Sequence, residues 1–383
     1  MPGRVPGECT YRTVPRPGGH SLRIRLHNWR SVCEARRLHI RPGLHVTATL
    51  PRFSTRLNSF ASRADLAWPG LSGKPSVLQL VQRAARVSGL TDLDLNYPDH
   101  VAEAPAGLAA KIRDTGLAIN GFAMRYYANP AFRMGAFTNP DSAVRRQAID
   151  LTKAGIDATR EAGANLMTLW LGQDGFDYSF QVDYPTIWQY ELDGIREAAA
   201  HDPDCYISIE YKPNEPRAYA LMPDCATTLL AIREVGLTNL GVTLDFAHVL
   251  YADEQPAFAA ALIARHSRLL GVHLNDGYGK RDDGLMVGAV HTLKTIELLR
   301  QIRRDGYEGA LYFDTFPDLT GLDPVHECEI NIATVKQMLD AVDRLDADNR
   351  LSPAIAAQDA VSTQAVVQEA IFGRMSQAGR RPS

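Results

Sequence analysis

The stretch Tyr206–Pro216, "YISIEYKPNEP", opens as a buried strand and then sets two charges, Glu210 and Lys212, two residues apart. In a β-strand, residues i and i+2 point to the same face, so both charges project to one side. A buried Glu–Lys ion pair is one reading, because charges taken out of water are usually paired. The other reading is a ligand and a catalytic cation at the mouth of a barrel. The remainder of the chain decides between them.

A chain of 383 residues, 45% hydrophobic and 22% charged, has the composition of a soluble globular protein with room for one large core or two small ones. A formal net charge of -3 gives no reason to expect nucleic acid or an anionic membrane as partner; a small polar substrate fits better. The five cysteines, Cys9, Cys33, Cys205, Cys225 and Cys328, are odd in number and form no C-x-x-C, which reads as free thiols in a reducing cytoplasm. The sequence has no uninterrupted apolar run of membrane-spanning length, and its first residues lack a secretory h-region. Residues 1–44 carry nine arginines against Glu8 and Glu34, with several Pro and Gly. They are expected to be a poorly ordered leader without a fold of its own, a nucleic-acid arm or targeting peptide being the alternatives.

From about residue 52, strand-like and helix-like segments alternate, the rhythm of a parallel sheet. The expected strands are 53–59, 93–96, 117–125, 165–170, 206–211, 240–246, 270–275 and 310–316. Helical patterns at 76–88, 141–162, 187–200, 224–235, 256–265 and 292–305 lie between them, with Gly163, Gly236 and Gly306 as stop signals. Eight βα units over roughly 280 residues match an α/β fold of the (β/α)8 TIM-barrel type. A doubly wound open sheet would want a phosphate-binding loop after its first strand, and "PGLSGKPS" lacks the P-loop spacing. The expected division is therefore a catalytic barrel at 45–322 and a C-terminal helical extension at 323–383, with helices at 324–345 and 353–372. Such an extension suits subunit packing in a homo-oligomer, a dimer or tetramer.

Barrel chemistry sits where strands end at the C-terminal face. The fifth expected strand ends in Glu210 and Lys212; the sixth, "GVTLDFAH", in Asp245 and His248. The seventh, "GVHLNDGYGKRDDGL", supplies His273 and Asn275, then Asp276, Asp282 and Asp283, and the eighth, "LYFDTFP", supplies Asp314. Each taken alone has a bland explanation as a helix cap or a satisfied core residue, but four adjacent strands ending in ligand-type side chains make a coincidence improbable. Glu210, Asp245, His273 and Asp314 together form an oxygen-rich hard set that suits Mn²⁺ or Mg²⁺, with Co²⁺ or Zn²⁺ also compatible.

These residues resemble the xylose isomerase-like sugar isomerases and epimerases. "IEYKPNEPR" looks like that family's E-P-K-P-x-E-P segment, with Tyr211 in place of proline; "LDFAH" is similar to its E/D-x-x-H segment, and "YFDTFP" to the segment of its last metal carboxylate. The resemblance implies that Glu210, Asp245, His273 and Asp314 bind a metal. It implies that His248 and Asp283, the latter in preference to Asp282, serve a second metal, and that Lys212 acts on the substrate oxygen with Glu210 and His248 as further catalytic groups. "TLWLGQDG" looks like the substrate-side loop, which makes Trp170, with Asn275 and Phe316, the expected sugar contacts. The ring-opening His-Asp dyad of xylose isomerase itself has no matching pattern; "NYPDH" offers Asp99 and His100 in a different arrangement. With a histidine on strand seven, the set is closer to the rhamnose isomerase and ketose epimerase branches. The implied activity is divalent-metal-dependent interconversion of an unphosphorylated aldose and ketose. The alternatives are a ketose 3-epimerase, a keto-sugar lyase and an inactive sugar-binding protein.

Overall fold

The structure, a computed structural model, describes residues 11–14, 22–25, 51–101 and 104–373. The chain divides into two units, residues 1–50 and 51–383. Within the first, Tyr11–Val14 pairs antiparallel with Leu22–Arg25. Apart from that hairpin, the leader expected at residues 1–44, with Cys9 and Cys33, lies outside the described residues. Cys205, Cys225 and Cys328 are buried free thiols.

The second unit is built on eight parallel strands: β1 (Phe53–Thr55), β2 (Asp92–Tyr97), β3 (Ala118–Met124), β4 (Leu166–Trp170), β5 (Tyr206–Glu210), β6 (Leu240–Asp245), β7 (Leu269–Leu274) and β8 (Leu311–Phe313). Neighbours in sequence pair from β2 through to β8, and β8 pairs with β1. A parallel bridge from Arg56 to Asp94 joins β1 to β2 and brings the sheet close to a full circle. This is the TIM barrel expected from the sequence. Its strands are nearly continuous apolar runs because helices cover one face and the barrel interior the other. Phe53 and Phe313 stack at 5.7 Å between ring centres and fasten β1 to β8.

Aspartates start four of the covering helices. Asp141, Asp183, Asp224 and Asp323 each accept a hydrogen bond from a backbone N–H of the first turn of the helix they precede, satisfying a donor that has no partner within the helix. At the other end Gly163, Gly236 and Gly306 take the left-handed conformation that stops a helix. The helix Pro324–Ala347 places Cys328, Ile332, Val335 and Val342 in the same core as the barrel strands. The segment expected as a single helix at 353–372 is two, Leu351–Ala356 and Ala360–Phe372, with Asp359 capping the second. No helix among the described residues is long and apolar enough to cross a membrane.

The first and last strands are each shorter than expected by four residues. After Thr55 the chain turns into a 3-10 helix, Leu57–Ala61, and buries Leu57 and Phe60 three residues apart, so their apolar side chains extend the core without extending the strand. Beyond Phe313, the Asp314 N–H still donates to Leu274, but the Phe316 N–H donates instead to Gly284 in the loop after β7.

Candidate active site

Pairing register assembles the site. Trp170 lies opposite Glu210 across β4 and β5, and Asp245 lies opposite His273 across β6 and β7. Asp314 follows directly on β8. The result is a cluster in which Glu210, Asp245, His273 and Asp314 each offer one ligand atom, all four within 4.8 Å of one another. Glu210, Asp245 and His273 are buried. The cluster borders a cavity of about 300 Å³ at the strand ends, into which Lys212, Trp170 and Phe316 also face.

The donor set fits a divalent cation. Three carboxylates and an imidazole crowded out of water would otherwise be held together only by mutual ion pairing. The Nδ1 atom of His273 is buried with no hydrogen-bond partner, at 3.4 Å from Glu210 Oε1 and 3.8 Å from Asp245 Oδ2. A buried, unpartnered ring nitrogen among carboxylates fits the role of a metal ligand. The charges are strongly coupled. Burial favours a neutral Glu210, yet the His273 and His248 imidazoles outweigh it and hold its pKa at about 2. Burial dominates at Asp245 and raises its pKa to about 7. His273 moves the other way from its burial, up to about 9, because Glu210 lies against it.

Asp245 is fixed by its surroundings. Its Oδ1 accepts from the His248 N–H at 3.0 Å, capping the short helix Phe246–Tyr251, and the Asn275 side-chain amide reaches both carboxylate oxygens. The other side of Asn275 accepts the Ala247 N–H at 2.8 Å. Asn275, expected as a sugar contact, is wholly buried and does not line the cavity; its amide is engaged by the Asp245 carboxylate, the Asp314 carbonyl oxygen and the Ala247 N–H.

His248 adjoins the cluster without joining it. Its Nδ1–H donates to the Tyr211 carbonyl oxygen at 3.0 Å, and its Nε2 lies 3.1 Å from Asp282 Oδ2. Burial disfavours its charge, but Asp245 and Asp282 raise its pKa to about 10. The same Asp282 oxygen takes Lys212 Nζ at 3.1 Å, while Glu215 holds that ammonium from the other side at 3.0 Å. The two carboxylates outweigh the burial of Lys212 and keep it protonated. The residue of the Asp-Asp pair that enters the site is thus Asp282. Asp283, expected as a ligand of a second metal, does not line the cavity; its oxygens accept from the Tyr278 N–H and the Arg281 guanidinium within the loop.

Trp170 and Phe316 owe their placement to glycines. A Cβ on Gly172 would stand 2.5 Å from Trp170 Cζ2, and one on Gly284, whose φ is +57°, would collide with the Phe316 ring. Lys212 Nζ sits 5.4 Å from the centre of Trp170, a cation held over an aromatic face. Cavity residues that the sequence did not single out are Arg56, Asp94, Arg125, Tyr127 and Tyr312. Asp94 is buried under hydrogen bonds from Ser54 and Asn120, and burial lifts its pKa to about 6. The period-2 alternation "DLDLNY" was the available signal for Asp94.

Residues 83–338 match the family of xylose isomerase-like TIM barrels. The chain belongs to that family. A xylose isomerase from Thermus thermophilus is 27% identical over 207 residues, which are 52% of this chain and 54% of that protein. This chain therefore spans about half the length of that curated relative. Among solved structures, a D-tagatose 3-epimerase-like protein aligns with a TM-score of 0.61 at 17% identity, covering 77% of this chain and 100% of the other. An L-ribulose 3-epimerase aligns with a TM-score of 0.61 at 17% identity, covering 78% and 99%. At these identities the structural likeness speaks for the barrel fold alone.

Proposed function

We propose that this protein is a divalent-metal-dependent isomerase that interconverts an unphosphorylated aldose and its ketose. The observation that carries the reading is the cluster of Glu210, Asp245, His273 and Asp314, open to a sugar-sized cavity beside a protonated lysine. Its hard donors suit Mn²⁺ or Mg²⁺. When bound, the cation would supply Lewis-acid polarisation of a carbonyl, worth several kcal/mol in the transition state. The kinship with a xylose isomerase supports the same chemistry.

In this reading the chain's own groups divide the work. Glu210, Asp245 and Asp314 balance the cation's charge, and His273 completes the set through its unpartnered Nδ1. Lys212 meets negative charge as it develops on the substrate oxygen; held by Asp282 and Glu215, it needs no reorganisation to do so. His248 braces Asp282, and Trp170 and Phe316 give apolar walls against which a sugar's C–H face packs. Transfer of a hydride between adjacent substrate carbons, balanced by a proton that passes from the hydroxyl of the donor carbon to the former carbonyl oxygen, asks for no base within hydrogen-bond reach of the carbon.

The second reading, a ketose 3-epimerase, draws on the names of the two aligned structures. It requires a proton-shuttling base, with Glu210 the first candidate. Turnover of a panel of aldoses and ketoses with Mn²⁺ in D₂O separates the two. The isomerase reading expects little deuterium on carbon. Stoichiometric incorporation at the reacting carbon moves the protein to the proton-shuttling branch, and release of water from a keto-sugar would make it a lyase.

A further inference from the structure

The metal-type cluster occupies the β5–β8 side of the barrel mouth, whereas the cavity's other wall carries two guanidinium groups. Arg56 directly follows β1, and Arg125 directly follows β3, the strand that by barrel order faces β7 and His273. Both side chains line the cavity. The cavity's ion pairs join Arg56 to Asp314 and Asp318 and join Lys212 to Asp282 and Glu215. Among the described residues, Arg125 takes part in none, and its buried Nε has no hydrogen-bond partner, whereas the Nε of Arg56 lies 3.7 Å from Asp314 Oδ1. A buried donor left without a partner is destabilising, more so on a charged group, and one that lines a cavity marks a ligand's place.

The two guanidinium groups are also held in orientation. Arg56 lies 4.7 Å from the centre of the Phe316 ring, and Arg125 5.9 Å from that of Tyr127. Stacking on aromatic rings fixes the planar fork, whose paired N–H groups match a carboxylate. The positive charge of both is felt at His100, whose pKa is lowered to about 4, first by burial and then by Arg125 and Arg56.

A sugar with its reacting carbons at the four-ligand cluster thus directs its far end at Arg125. We propose that the preferred substrate of this site is a sugar acid, carrying a carboxylate at the end remote from the reacting carbonyl, and that Arg125, assisted by Arg56, binds that carboxylate. This rests on the isomerase reading for the orientation of the substrate. The planar guanidinium favours the carboxylate over a bulkier, doubly charged phosphate, for which the small cavity offers one unpaired cation.

Matched ligands test it. Calorimetric titration of the Mn²⁺-loaded protein with glucose and glucuronate, and with galactose and galacturonate, compares sugars that differ only in the terminal carbon. The expected result is at least about tenfold tighter binding of the acid of a pair. That preference should be lost in Arg125→Met and partly kept in Arg125→Lys. Equal affinity for acid and neutral sugar in the wild-type protein overturns the proposal, even if the Met variant does not fold, as does a preference that survives Arg125→Met. A sugar phosphate bound more tightly than the uronates overturns the carboxylate assignment. Turnover distinguishes the two readings: interconversion of neutral sugars without acid preference defeats the anion site and leaves the isomerase, whereas acid-selective binding with no turnover of any sugar defeats the isomerase and leaves the anion site.

Discussion

Asn275 holds Asp245 by both oxygens, its Nδ2 lying 3.2 Å from Oδ1 and 3.1 Å from Oδ2. With the amide oxygen pinned by the Ala247 N–H, the carboxylate has one orientation, toward Glu210 and His273. Groups that orient a metal ligand typically matter about 10–100-fold in affinity. Asn275→Ala should therefore weaken Mn²⁺ binding by about that factor, read by calorimetry, with little change in the barrel's far-UV circular dichroism. Unchanged affinity would mean that Asp245 needs no such support.

Asp282 and Asp283 are adjacent in sequence and separate in role. Asp282→Asn removes the charge shared by Lys212 and His248 and should lower kcat/KM by about tenfold to a hundredfold, the worth of a charge-assisted hydrogen bond of about 1.5–3 kcal/mol. Asp283→Asn should change kcat/KM by less than about threefold, since its partners are in the loop. The reverse ranking in steady-state kinetics would return the second carboxylate to Asp283.

On the proposed isomerase reading, Lys212 bears on the transition state more than on binding. Lys212→Met replaces the four-atom stem and keeps apolar packing against Trp170 but loses the ammonium, so the loss should fall on kcat, with KM nearly unchanged. A variant that loses only in KM would make Lys212 a binding group.

What was legible in the sequence follows the periodicity of the chain. A parallel strand reads as an apolar run, and a charge at its end is conspicuous, so Glu210, Lys212, Asp245, His273 and Asp314 stood out against "YISI", "GVTL", "GVHL" and "LYF". Loops have no such grammar. Nothing in "KRDDGL" says which of two adjacent aspartates turns inward; that is set by the Asp283 bonds to Tyr278 and Arg281. Arg56 and Arg125 each follow a strand, as many surface arginines do, and only barrel closure brings them to one cavity. Asn275 was conspicuous by position, but the direction of its amide depends on Asp245 and Ala247, contacts made across β6 and β7. The helix Pro105–Asp114 was passed over because it is rich in Ala and buries only Ala109 and Ile112.

Glu191, in the helix Tyr184–Ala199, is wholly buried, and neither carboxylate oxygen has a hydrogen-bond partner. Burial, then the nearby Asp174, push its pKa well above the ordinary value. A folded-state pKa raised for an acid favours folding while the group is protonated, and that advantage is lost as pH rises from the unfolded value of about 4.3 through the folded one. In Glu191→Gln the group no longer titrates. Denaturant unfolding across that window should show wild type losing stability relative to the variant with rising pH; parallel curves would mean that Glu191 finds a partner.

If a divalent cation at Glu210, Asp245, His273 and Asp314 makes this barrel an aldose–ketose isomerase, turnover of an aldose and ketose panel should depend on it. Chelator-dialysed protein is assayed before and after reconstitution with Mn²⁺, with melting temperature followed in the same samples. The expected outcome is interconversion in the reconstituted protein alone, a rise in melting temperature on adding the metal because it binds only the folded state, and loss of both in Asp314→Asn. Full activity in metal-free protein, or a reconstituted protein that interconverts no sugar of the panel, would contradict it.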